Sequence, residues 1–198
     1  IVTRAIMPRR RRRLPPRSRR RRGMIARVTM MALVLLTALL LGTVALSAVT
    51  FGVWRPDLVV LTVVGFAIAD GPGTGARYGF AAGLSVDLLS AGSHLVGTAA
   101  LVLLLVGYLS GVARPYLSAT GLVGQIALAG IASMCAVLAY GLLAGLLEVT
   151  SVSPLAAVRS ALATGLYNAL LAPLVLRPVA ALSRRAPGAP SVNPRSRI

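Results

Sequence analysis

Six apolar segments, separated by short polar breaks, constrain this chain more than any other feature. They cover about residues 28–50, 57–70, 73–90, 95–113, 121–147 and 155–182. The first would span roughly 34 Å as a helix, enough to cross the hydrocarbon core of a bilayer. Hydrophobic residues make up 57% of the sequence and charged residues 13%, about half the charged share of soluble domains. The sequence therefore predicts an all-α integral membrane protein, with a six-helix transmembrane bundle within residues 28–182.

Three segments have features that bear on how they cross the membrane. The basic flank of the first segment mimics a signal peptide, but five more segments follow its long apolar part, which predicts a retained helix. Segment 57–70 would be only about 21 Å long, so its length leaves open whether it crosses fully. Segment 121–147, at about 40 Å, predicts tilt, a kink or an overshoot.

The distribution of arginine predicts the orientation. Twelve of the 21 basic residues fall within residues 4–27, and six spans put both termini on one side. By the positive-inside rule that side is the cytoplasm. The same arrangement places seven of the other nine arginines inside and only Arg55 and Arg159 outside. We therefore expect a multi-pass membrane protein, with disordered cytoplasmic tails at residues 1–27 and 183–198.

The basic N-terminal tail has two possible ligands. Its arginine runs, broken by Pro15 and Pro16, repel one another and favour disorder. Because the tail carries no aromatic residue and no fold, contact with anionic membrane lipids is favoured over binding of nucleic acid. The stretch from Met24 resembles the ordinary start of a membrane protein, so we assign no function to residues 1–23.

A regular spacing marks the third segment. Within "GARYGFAAGLSVDLLS" (75–90), every fourth residue is small or acidic: Gly75, Gly79, Gly83 and Asp87. Missing side chains let helix backbones approach closely in a membrane. Because the series continues into a carboxylate, we expect this face to lie against another helix. Gly141 and Gly145 repeat the spacing in the fifth segment, where packing and coincidence are equally good interpretations.

Asp87 is costly inside a bilayer and is expected to have a partner. It lies toward the outer end of the third segment, and Arg159 lies at the outer start of the sixth. The other outer arginine, Arg55, already has an acidic neighbour two residues away. The sequence therefore predicts an Asp87–Arg159 ion pair, with Asp70–Arg77 as a second, inner pair. A structural pair is favoured over a proton relay.

The polar residues do not compose an active site. "DGPGTGARYGFAAGLSVDLLS" superficially resembles the motif of CDP-alcohol phosphotransferases, but the first and last aspartates of that motif fall at Ala67 and Ala91, and the inner spacings differ. That chemistry needs several carboxylates to hold a metal. The single His94 and the single Cys135 also exclude a histidine-rich or thiolate metal site. We expect no catalytic residue, metal or cofactor.

Four stretches resemble one known family. They are "RPDLVVL" (55–61), "GARYGFAAGLSVDLLS" (75–90), "HLVGTAALVLLLVGYLSG" (94–111) and "LYNALLAPLV" (166–175). Taken in order, they resemble the bacterial rod shape-determining protein MreD family. With the stripe and the ion pair, the resemblance defines our structural or interaction residues: Gly75, Gly79, Phe80, Gly83, Asp87, Tyr108, Arg159 and Asn168.

The resemblance implies a function that composition could not supply. It implies a non-enzymatic membrane component of the cell-elongation machinery, needed for cell shape and lateral peptidoglycan synthesis. The implied partners are MreC and, through it, the MreB filament and the wall-elongation polymerase and transpeptidase. The implied fold is similar to the substrate-binding subunits of energy-coupling-factor vitamin transporters, so the alternative is a small-molecule-binding subunit of such a transporter. An aromatic content of 5% and short outer loops favour the scaffold.

Overall fold

The computed structural model describes residues 17–42, 57–89, 97–146 and 153–185, which form six α-helices. These are α1 (Arg17–Leu40), α2 (Leu58–Asp70), α3 (Pro72–Leu89), α4 (Thr98–Val112), α5 (Arg114–Leu146) and α6 (Pro154–Arg185). Three stretches are long and apolar enough to cross a membrane: Gly23–Leu40, Thr120–Leu146 and Pro154–Arg184. The all-α prediction is confirmed, and the chain is a helical membrane protein.

Helix α2 forms the centre of the bundle. Every residue from Val59 to Ala67 is buried, and helices α3, α4, α5 and α6 pack around it. A helix that is apolar on all sides presents no polar face and belongs in the interior. Its largest side chain, Phe66, is fully buried and meets the ring of Tyr78 on α3, with centroids 4.6 Å apart. The short second segment is therefore the core of the molecule.

Helix α5 contains a kink, one of three alternatives expected from the length of segment 121–147, and it lies at the first residue of that segment. Gly121 interrupts the helical backbone with φ +60° and ψ −136°. Positive φ is cheap only for glycine, so this residue sets where the helix bends. The turn from Arg114 to Thr120 thus takes a direction different from that of the apolar stretch that follows it.

Two helices extend beyond the predicted boundaries of the bundle. Helix α1 begins at Arg17 rather than near residue 28, and α6 continues through Arg185 rather than ending at residue 182. Arginine is a good helix former, and a nucleated helix extends at little cost per residue. Parts of both predicted tails are therefore helical. Residues 1–16 and 186–198 lie outside the described residues.

Candidate functional site

The predicted glycine stripe lies against α4. A Cβ atom added to Gly79 would lie 2.7 Å from the carbonyl carbon of Leu103, and one added to Gly83 would lie 2.6 Å from the amide nitrogen of Ala100. A real Cβ cannot approach a backbone so closely, so these positions require glycine. The close helix contact that we expected for the stripe is present.

Helix α4 contributes its own glycines, which sequence reasoning missed. A Cβ on Gly107 would lie 2.7 Å from the carbonyl carbon of Gly75, and one on Gly111 would lie 2.5 Å from the nitrogen of Pro72. Because α3 and α4 are antiparallel, each step of four residues along one helix meets a step of four along the other. The signal was available in the four-residue spacing of Gly107 and Gly111. We call this contact the glycine seam, made by Gly75, Gly79, Gly83, Gly107 and Gly111.

The spacing of glycines on α5 is a coincidence as far as the described residues go. A Cβ added to Gly141 or Gly145 would meet nothing within 4 Å. Helix α5 instead approaches α6 at Gly130, where a Cβ would lie 3.1 Å from the carbonyl oxygen of Gly165. Glycine spacing alone therefore did not identify the packed face.

Asp87 ends the seam by capping α4. Its carboxylate accepts hydrogen bonds from the backbone N–H groups of Gly97 (2.9 Å), Ala99 (3.2 Å) and Ala100 (3.1 Å). The N-cap residue of α4 is Gly97, with φ +108° and no side chain to satisfy the free amides of the first turn. Asp87 supplies that acceptor from α3, and its negative charge suits the positive end of the α4 dipole.

The predicted Asp87–Arg159 ion pair is therefore wrong. Asp87 is 5% exposed and satisfied by amides, whereas Arg159 is exposed on α6 and forms no ion pair with a described residue. The prediction assumed that a buried carboxylate needs a cation, but three N–H donors stabilise it as well. The Asp70–Arg77 pair is also wrong, because Asp70 pairs with another arginine and Arg77 is exposed.

The C-terminal end of α2, which is the inner end in the orientation expected from the sequence, is held by a polar cluster. Asp70 forms an ion pair with Arg27 of α1 and accepts a hydrogen bond of 2.5 Å from the hydroxyl of Ser183 on α6. The Asp70 side chain is only 2% exposed, so the charge is compensated within the bundle. The cluster joins three helices at one level.

The N-terminal end of α2, the outer end in the expected orientation, is held by Asn168, which is fully buried. Its side-chain amide accepts a hydrogen bond from the backbone N–H of Asp57 and donates one to the carbonyl of Asp57, both 3.0 Å. The same amide donates to the hydroxyl of Ser133 on α5 at 2.7 Å. Asp57 in turn caps α2, accepting from the N–H groups of Val59 and Val60. We call Asp57, Ser133 and Asn168 the outer network.

Sequence reasoning identified Asn168 only through the resemblance and did not identify Ser133. A buried asparagine in an apolar helix requires partners, which was the available signal, but nothing in the sequence says which helix supplies them.

Phe80 and Tyr108 lie on the outward faces of α3 and α4. Their side chains are 47% and 49% exposed, so neither takes part in the glycine seam. In a membrane these rings contact lipid or a partner protein. Their role as interaction residues stays a prediction.

A cavity of about 260 Å³ opens beside the outer network. Asp57, Asp87 and Tyr140 supply its polar lining, and aliphatic residues supply the rest. Both carboxylates already accept backbone hydrogen bonds. Within the described ranges there is no group of three or more histidine, cysteine or acidic residues close enough to hold a metal ion.

These features define a class of protein: a helical membrane protein whose described buried carboxylates bind groups of its own helices. The chain belongs to the rod shape-determining protein MreD family, whose model matches residues 22–186. It therefore belongs to the cell-shape system of which that family is a part. Searches of curated proteins and of solved structures gave no match.

Proposed function

We propose that this protein is a non-enzymatic scaffold or regulator of the cell-elongation complex, needed for rod shape and lateral peptidoglycan synthesis. The family match over residues 22–186 carries the proposal. The structure supports it because the carboxylates of Asp57, Asp70 and Asp87 each accept hydrogen bonds from the protein's own helices. Groups held in this way stabilise a rigid surface for partners.

The proposed arrangement is six spans in the bacterial cytoplasmic membrane with both termini in the cytoplasm. Asp70, at the C-terminal end of α2, meets Ser183 near the C-terminal end of α6, and Asp57, at the N-terminal end of α2, meets Asn168 at the middle of α6. Helices α2 and α6 therefore run parallel, as the second and sixth spans of an alternating bundle must. Six helices around this plan would share the architecture of energy-coupling-factor substrate-binding subunits.

The proposed partners are MreC and, through it, MreB and the wall-elongation polymerase and transpeptidase. Partner contact requires an outward face, and α3 and α4 supply one that includes Phe80 and Tyr108. The glycine seam holds these two helices at a fixed distance, so their outward side chains keep a constant spacing.

A transporter subunit that binds a small molecule is the second candidate, and the cavity beside the outer network is the observation in its favour. Its polar lining is limited to Asp57, Asp87 and Tyr140, and both carboxylates are engaged with backbone amides. A vitamin site needs free polar groups that converge on the ligand, so the scaffold is the better-supported function.

Complementation with co-purification separates the two functions. We expect the wild-type chain to restore rod shape in cells that lack their own family member, and to co-purify with MreC. Recovery of an ATPase and a transmembrane coupling subunit, without wall-elongation proteins, would favour the transporter and contradict the scaffold.

A further inference from the structure

A second cavity, of about 320 Å³, lies between α2, α5 and α6 near the inner polar cluster. Its polar lining is formed by Arg114, Gln125, Ser183 and Arg184, and its apolar walls include Ile68 and Leu176. This volume is at the lower end of the range for small-molecule sites. We call it the inner arginine cavity.

The charge of this cavity is uncompensated within the part of the chain that the structure describes. Arg114 and Arg184 form no ion pair with a described residue. Among the described carboxylates, that of Asp70 reaches the lining through a hydrogen bond from Ser183, and it is already paired with Arg27. Two guanidinium groups that line one concavity therefore attract an anion from outside the bundle.

The chemistry of the lining specifies the anion. Guanidinium groups match phosphate oxygens with paired N–H donors, and Gln125 adds an amide donor. A free hydrated ion would gain no binding energy from the apolar walls, whereas the hydrocarbon part of a lipid can pack against them. Basic pockets between helices at the cytoplasmic side of a membrane are typical sites for anionic headgroups.

We propose that the inner arginine cavity binds one anionic phospholipid. Arg114 and Arg184 hold its phosphate, and the part of the lipid next to the headgroup lies along Ile68 and Leu176, while the rest of the acyl chains extends outside the cavity. In the proposed orientation this end faces the cytoplasmic leaflet. This site lies between three packed helices and binds one lipid. The basic tail, by contrast, attracts anionic lipids without a defined site.

Native mass spectrometry of the full chain tests the proposal. The protein is titrated with phosphatidylglycerol, with phosphatidylcholine as the zwitterionic comparison. We expect one phosphatidylglycerol to remain bound at activation energies that remove phosphatidylcholine. In the double variant Arg114→Gln/Arg184→Gln the dissociation constant of that lipid should rise at least tenfold, as two lost arginine–lipid contacts predict.

The matched control is Arg77→Gln/Arg177→Gln, which removes the same charge from two exposed arginines that do not line the cavity. Its dissociation constant should stay within about twofold of the wild-type value, the remaining effect being long-range charge. Equal loss in both double variants, or no loss in the cavity variant, would overturn the proposal. Retention of water-soluble glycerol phosphate at the same activation energies as phosphatidylglycerol would also overturn it, because the site would then bind a free anion rather than a lipid.

A second measurement on the wild-type chain covers the case in which the cavity variant fails to fold. A photoactivatable phosphatidylglycerol should cross-link to peptides that contain Arg114–Gln125 and Leu176–Arg184. Cross-links confined to the N-terminal tail would show that only the diffuse attraction exists.

Discussion

At the scale of single residues, the acidic side chains show how charge is tolerated in an apolar bundle. Asp87 accepts hydrogen bonds from backbone amides, and Asp70 binds an arginine and a hydroxyl group. The sequence had predicted only an arginine partner for each. Backbone N–H groups at a helix start are unsatisfied donors, so a carboxylate placed there satisfies both itself and the helix. The position of Asp87 is explained by the glycine at the start of α4.

Substitution of Asp87 tests the cap. Asp87→Ala leaves three amides without an acceptor and should lower the free energy of unfolding by about 1–3 kcal/mol. Asp87→Asn keeps one acceptor oxygen and should fall between alanine and wild type. Unfolding in mixed detergent micelles measures both.

Arg159→Gln is the matched control for Asp87, and its effect should stay within about 0.5 kcal/mol. Its effect should also add to that of Asp87→Asn. Non-additivity in that double-mutant cycle would restore the ion pair between these residues.

Asn168 is the residue on which the outer network depends. Asn168→Leu removes the partner of the Asp57 amide and of the Ser133 hydroxyl, and should destabilise the protein by about 1–3 kcal/mol. Leu170→Ala, at a 71% exposed position on the same helix, should have little effect. Thermal unfolding in detergent compares the two, and equal stability would contradict the role of the network.

At the scale of elements, the glycine seam joins α3 and α4 along their whole contact, whereas the glycines of α5 at 141 and 145 face open space. The difference arises because a glycine brings helices together only where the opposite helix also presents a backbone rather than large side chains. Helix α4 does so at Gly107 and Ala100.

Leucine substitutions distinguish the two sets of glycines. Gly83→Leu should prevent accumulation of folded protein or abolish rescue of cell shape, because its side chain would overlap the backbone of α4. Gly141→Leu makes the same change in a position with nothing within 4 Å and should accumulate normally. Membrane yield and size-exclusion profiles measure the result. A stable, active Gly83→Leu protein would contradict the close contact of α3 and α4 at this position.

At the scale of the whole molecule, the arginine distribution and the alternation of helices predict the sidedness. In a Cys135→Ser background, single cysteines at Ser93 or Ser151 should react with an impermeant maleimide added to intact cells. Cysteines at Ser18 or Ser191 should react only after lysis. The reverse pattern would place the termini outside and overturn the six-span proposal.

The sequence by itself determined that the chain lies in a membrane, that it is helical, and which face of α3 packs against another helix. The apolar segments and the four-residue glycine spacing follow from local chemistry, so they can be identified without knowing which helices are neighbours. The short segment 57–70 shows the limit of such local information. Its length left open whether it crosses the membrane, and only its packing shows that it forms the core.

Only the tertiary structure decided the partners. Asp57 with Asn168, Asp70 with Arg27, and Asp87 with the start of α4 are contacts between distant or loop-separated residues. A buried polar group must find a hydrogen-bond partner, but any helix at the same depth could supply one. The order and rotation of the helices select among those candidates, and they are set by the packing of the whole apolar core around α2.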